Sequence, residues 1–238
     1  MLAIYKKELR QYFTSPVGYV FVAAFLAISG FLFSMFTVQY AVAGDDYDLG
    51  TYYTVIMFVC SIIVPLLTMK TFSEERKLRT EQLLLTAPVD IGSMVAAKFM
   101  ASYTVFAGTF LISCSNLFIL YKYGEPAGGV LLGYTIGILL IGAAFVAIGT
   151  FVSSLTENQL TAAIGTIGIL MLMLLVNFLN DYIDWTWVRL LTNWFSVYSR
   201  FINFTYGIFD YAAILYYASI VVIFLFLTVR IYEKSRWE

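Results

Sequence analysis

The chain has 238 residues, of which 61% are hydrophobic, 18% aromatic and 12% charged, with a net charge of −1 and a mean hydropathy of +0.84. A soluble domain carries about 25% charged residues, so this chain cannot clothe a water-facing surface, which excludes a soluble enzyme and a disordered chain. The near-zero net charge gives no pull towards polyanions such as nucleic acid, and the absence of histidine removes the commonest catalytic base and metal ligand.

Six stretches lack Asp, Glu, Lys and Arg: 11–44, 49–69, 99–121, 126–156, 158–180 and 211–229. Each supplies one bilayer-crossing helix of about 20 residues. Before the first, Leu2, Ile4, Tyr5, Leu9, Tyr12 and Phe13 fall mostly on one helical face, and Lys6, Lys7 and Arg10 largely on the other. This predicts an amphipathic helix over 1–16 lying on the inner leaflet, with Lys6, Lys7, Glu8 and Arg10 as its charged residues. Ser15-Pro16 turns the chain into the first span, 18–42. That span carries Ser29, Ser34 and Thr37; the second, 52–70, carries Thr54, Ser61 and Thr68.

The loop 71–93 is the longest one on its side. Thr80 suits the N-cap of a short helix around 80–86, Glu81 suits the positive end of its dipole, and Pro88 stops it. Leu83, Leu84 and Leu85 are three successive leucines outside the membrane. They pack either on the protein's own spans or in a partner's groove.

The third and fourth spans are 94–121 and 128–152. Gly133, Gly137, Gly142 and Gly149 give the fourth a small face, the mark of close helix packing in lipid. The fifth, 160–180, holds Gly165 and Gly168 with Thr161, Thr166 and Asn177. Hydroxyls and amides in spans serve helix–helix hydrogen bonding or line a pathway. We take Ser29, Ser34, Thr37, Thr54, Ser61, Thr166 and Asn177 as the candidate pathway set.

Segment 181–210 is too charged to cross. Its Trp187, Leu190, Leu191, Trp194, Phe195, Tyr198, Phe201 and Ile202 recur at helical spacing. Short helices at the outer interface are expected, serving as an aromatic anchor or as an external gate built on Trp187, Trp194, Tyr198 and Phe201. The sixth span is 211–230. Runs such as IGILMLMLLVNFL do not alternate, which excludes a membrane β-barrel. The expected fold is therefore an all-α polytopic membrane protein, a single domain over 1–238.

Six spans put both termini on one side. Eleven of the Lys and Arg residues fall there, against Lys122, Arg189 and Arg200 opposite. The positive-inside rule makes the termini and the 71–93 loop cytoplasmic. The N-terminal charges followed by an apolar run suggest a signal peptide, but the run is too long and no small-residue site ends it, so we read it as retained. Cys60 and Cys114 both fall in spans and read as buried free thiols.

Tests for chemistry come out negative. Glu74-Glu75-Arg76-Lys77-Leu78-Arg79 reads as EExxxR, a pattern of some membrane-embedded proteases. Those also use histidines, and the motif here sits in a loop, so we read it as a solvated charge run. There is no Gly-Lys pair and hence no P-loop. Any ATP-driven work needs a second chain to bind the nucleotide. Span centres lack ionisable residues, which argues against an ion-coupled carrier.

The opening YKKELRQYFTSPVGYVF, the loop EERKLRTEQLLLTAPVDIGSMVAAKF and the ending TYGIFDYAAILYYASIVVIFLFLTVRIYEKSRW resemble the six-span permeases of the second type of ABC exporter. The closest likeness is to gliding-motility-associated (GldF-like) permease subunits. Where such members have Gly-Thr before the loop Glu, this chain has Arg79-Thr80.

The resemblance implies a permease in a bacterial inner membrane that pairs with a second copy or a paralogue. Two copies of a cytoplasmic ABC ATPase would serve the pair, holding the ATP and Mg, with no cofactor in this chain. The loop would be the coupling helix, engaging the ATPase through Glu74, Glu75, Arg76, Arg79, Thr80, Glu81, Leu83, Leu84, Leu85 and Pro88. Segment 181–210 would form re-entrant outer helices, and an auxiliary subunit with an extracytoplasmic domain is a further partner beside membrane lipids. The expected function is export driven by the ATPase. The alternative is force transmission or membrane anchoring without a transported substrate.

Overall fold

Lipid offers no hydrogen-bond partner, so each segment that crosses it must satisfy its own backbone. The computed structural model, which describes residues 1–39, 49–78, 90–123, 128–179, 187, 196–205 and 210–237, is helical throughout its regular elements. These are α1 (Leu2–Thr14), α2 (Pro16–Phe33), α3 (Leu49–Thr68), α4 (Ser73–Lys77), α5 (Ile91–Ser113), α6 (Leu117–Tyr123), α7 (Gly128–Leu155), α8 (Gln159–Leu179), α9 (Val197–Thr205) and α10 (Tyr211–Trp237). A π-turn, Ser34–Val38, extends α2, and a 3-10 turn, Cys114–Asn116, joins α5 to α6.

Six of these runs are long and apolar enough to cross a membrane, and each coincides with an expected span. The boundaries moved where local chemistry sets them. Pro16 opens α2, where its missing N–H is harmless. The third span starts at Ile91 rather than 94 because Asp90 caps it, accepting from the Ser93 N–H at 2.9 Å. Asn158 and Asp210 cap α8 and α10 in the same way.

The centre of the bundle is α7. It packs against α3, α5, α8, α9 and α10, while α8, α3, α2, α5 and α10 run round it in that order. Two-thirds of its most apolar window is buried, against about a quarter for α2, α8 and α10. Only small residues let so many neighbours approach one backbone. A Cβ at Gly142 would overlap the Phe106 ring, one at Gly149 would overlap Thr68, and one at Gly137 would come within 2.8 Å of Phe201. These three positions of the small face are filled by α5, α3 and α9 in turn. Gly168 faces open space instead.

Overpacking a closed core costs about 1–3 kcal/mol. Gly142→Val should therefore lower the thermal midpoint of the detergent-solubilised chain by several degrees, whereas Gly168→Ala should leave it within error. Thermal size-exclusion chromatography measures both.

Candidate functional site: a buried charge cluster

At the end of the bundle where α3 finishes and α5 begins, the chain buries an ammonium group. Lys98, two turns into α5, is 2% exposed. An isolated charge of this kind is strongly disfavoured away from water, and here it is surrounded by acceptors. Its Nζ lies 2.9 Å from Glu75 Oε1 and 3.2 Å from Glu8 Oε1, and it donates to the Thr71 carbonyl at 2.8 Å. The Phe72 ring, 5.0 Å away, adds its negative face. Two carboxylates against one ammonium leave an excess negative charge. The exposed Lys7 offsets it from outside, at 3.5 Å from Glu8 and 3.7 Å from Glu75.

The three partners come from α1, α4 and α5, so the cluster is a joint. Hydroxyls extend it. Tyr12 of α1 donates to the Leu67 carbonyl at 3.2 Å and pairs with Ser102 Oγ at 2.8 Å. Burial pushes the Tyr12 phenol above its usual pKa, and the nearby Glu8 carboxylate adds to this against the Ser102 bond. Ser153, at the end of α7, accepts from the N–H groups of Phe72 and Ser73 at 3.1 Å each, and donates to the Met69 carbonyl. Phe72 meets Tyr232 of α10 at 4.9 Å between ring centres and packs with Ile91, Met94 and Val95. Ends of five helices thus meet at one short segment, 71–75.

The opposite end is built on α9. Val197, Phe201 and Phe204 are fully buried. Phe201 lies over Gly137 and 6.1 Å from Tyr134. The Tyr217 hydroxyl donates to the Val197 carbonyl at 2.8 Å. Asn203 donates to Asp210 at 2.7 Å; this bond, ahead of the α10 backbone N–H groups, holds the Asp210 carboxyl below its usual pKa.

A model of the ABC-2 family transporter proteins matches residues 2–236. The chain belongs to that family. Membership, with six apolar helices, makes it a multi-pass membrane protein and a transmembrane subunit of an ABC transporter, and it implies association with a cytoplasmic ABC ATPase. No curated protein matches the permease closely enough to count as a relative.

Of the residues expected to engage the ATPase, Glu74, Glu75 and Arg76 lie on α4. Arg79, Thr80, Glu81, Leu83, Leu84, Leu85 and Pro88, and with them the expected 80–86 helix, lie outside the described residues. The reading of 74–79 as a solvated charge run is corrected at Glu75, which turns inward to Lys98 because that ammonium has no water to rely on. The N-terminal helix has one face on the protein itself. Tyr5, Leu9 and Tyr12 pack on the bundle, with Tyr5 donating to Thr104 at 3.1 Å, while Leu2 and Phe13 point outward. Lys6, Lys7 and Arg10 are exposed. Glu8 shares the Tyr5–Tyr12 face, so that face needs a counter-charge that lipid tails cannot provide.

Among the expected pathway residues, Ser29, Thr37, Ser61 and Thr166 are buried. Ser113 donates to Ser29 at 2.8 Å, and Ser61 and Thr166 donate to carbonyls of their own helices. Ser34 is exposed, Thr54 half-buried, and the Asn177 side chain lies outside the described ones. Of the gate residues, Trp187 is exposed, Tyr198 half-buried and Phe201 buried; Trp194 is outside the described residues. Both cysteines are free; Cys60 is buried but Cys114, at the 3-10 turn, is half-buried.

Lys98 was missed as a site residue, although a lone cation inside an apolar helix signals a buried partner. Removing one member of a buried pair typically costs about 3–5 kcal/mol. Lys98→Met should lower the thermal midpoint sharply, and Lys7→Met, exposed, by about 1 kcal/mol or less in equivalent stability. The double variant Lys98→Met with Glu8→Gln should lose less than the sum of the two single losses. Strict additivity in a double-mutant cycle would mean that the two groups do not interact.

Proposed function

We propose that this permease is the membrane half of a bacterial ABC exporter in which a separate ATPase supplies the motion through the 71–93 loop. The buried Lys98 cluster carries the reading. A loop that merely joined two spans would need no ion pairs to its neighbours. Here the loop's first helix is fastened to α1, α5 and, through Ser153 and Phe72, to α7 and α10. A push on α4 is then delivered to several spans at once, as rigid-body switching requires. In this reading the clustered end and both termini are cytoplasmic, in the inner membrane, and Leu83, Leu84 and Leu85 seat in the ATPase groove. Two permeases face each other, of the gliding-motility-associated kind, with an auxiliary extracytoplasmic subunit as a further partner.

The second reading is force transmission without a transported substrate. It is favoured by the packed interior, where the hydroxyls of Ser29, Ser61 and Thr166 are already bonded within the chain.

Leu84→Asp, which puts a carboxylate into an apolar contact, should reduce ATPase recovered with the affinity-purified permease at least tenfold. Unchanged recovery and turnover would overturn docking through the leucines. Lys98→Met should instead keep the ATPase bound and lose stimulation of ATP turnover by the reconstituted permease. Stimulation equal to wild type would remove the cluster from the transmission route.

A further inference from the structure

We infer that the cleft where α1 turns into α2 binds a phospholipid headgroup carrying both a phosphate and a free ammonium, of the phosphoethanolamine kind. The cleft, about 50 Å³, is lined by Gln11, Ser15, Lys70 and Glu74, with the buried Glu8 and Tyr12 forming its inner wall. Its height is set by the spans. Pro16 is the first residue of one and Thr68 the last of α3, so the cleft sits where lipid headgroups lie. Phe13 and Tyr19, both exposed, meet edge to face at 6.0 Å across the same turn. Exposed aromatics of this sort favour the membrane interface.

The cleft's polar groups are uncommitted. Among the described residues, Lys70 and Glu74 are in no ion pair, and the side chains of Gln11 and Ser15 make no hydrogen bond. Ser15 is the N-cap of α2 yet does not cap it through its side chain. Lys70, the Ser15 hydroxyl and the positive end of the 18-residue α2 form an anion side. Glu74 forms a cation side. Glu8 is already bound to Lys98 and Lys7.

An anionic headgroup without an ammonium would satisfy Lys70 and be repelled by Glu74. A zwitterion with a primary ammonium satisfies both. Glu74 also belongs to the residues expected to engage the ATPase, but the lipid readout uses the chain without the ATPase, so the site's failure is distinguishable from a failure of docking.

The test is native mass spectrometry of the full chain released from nanodiscs holding equal phosphatidylethanolamine, phosphatidylglycerol and phosphatidylcholine. The wild type should retain one phosphatidylethanolamine at least fivefold over phosphatidylglycerol. Lys70→Ala should reduce that retention at least fivefold; Lys70→Gln gives the same readout should the alanine variant not fold. Glu74→Gln should keep a lipid but bring the two headgroups to parity. Equal retention of both lipids by the wild type, or retention indifferent to both Lys70 variants, overturns the site. Soluble phosphoethanolamine retained as well as the lipid overturns the lipid assignment.

Discussion

A buried ammonium has few tolerable surroundings, and one end of this protein is arranged around one. Lys98 sits two turns inside α5, beyond the reach of water, and needs carboxylates that its own helix does not supply. Glu8 arrives from α1 and Glu75 from α4, which fixes where both short helices lie. Hydrophobic contact alone would not do this in a membrane, because lipid tails compete for apolar faces on equal terms. Charge pairing discriminates where apolar burial cannot. It therefore ties the non-spanning elements to the spanning ones, and a displacement of the loop becomes a displacement of helices.

The other end uses shape. Gly137 admits the Phe201 ring, and α9 is clamped over α7 by that contact and by the bond from Tyr217 to Val197. Between the two ends, Gly142 and Gly149 bring α5 and α3 against the same backbone. The central helix is thus coupled at its middle by van der Waals contact, at one end through the Ser153 hydroxyl, and at the other through an aromatic wedge. The headgroup cleft proposed at the α1–α2 turn adjoins the charged joint and shares Glu8 with it, so lipid occupancy and the joint would act on the same short helix.

Much of this was legible beforehand. The spans follow from charge-free length, since lipid penalises ions uniformly along the chain. The glycine face of the fourth span followed from spacing, whereas Gly168 of the fifth meets open space. What misled was the outward reading of charged residues near spans. Glu75 looked solvated because its neighbours Glu74, Arg76 and Lys77 are charged too, and linear context cannot tell which member of a run turns inward. Glu8 lay in view at the period of Tyr5, Leu9 and Tyr12, and a carboxylate on an otherwise apolar stripe was the available signal for a buried partner. The short helix Ser73–Lys77 was not anticipated, because five residues carry too little periodicity to register.

The amino-acid sequence by itself determined that this is a six-span helical membrane protein, roughly where each span runs and that the fourth carries a small face, because those follow from local composition and the demand for internal hydrogen bonding. Tertiary structure decided which charges are buried and with whom, which hydroxyls bond within the bundle, and which uncommitted groups share the α1–α2 cleft. Those are distances between residues far apart in the chain, 90 positions in the case of Glu8 and Lys98, and no local rule encodes them.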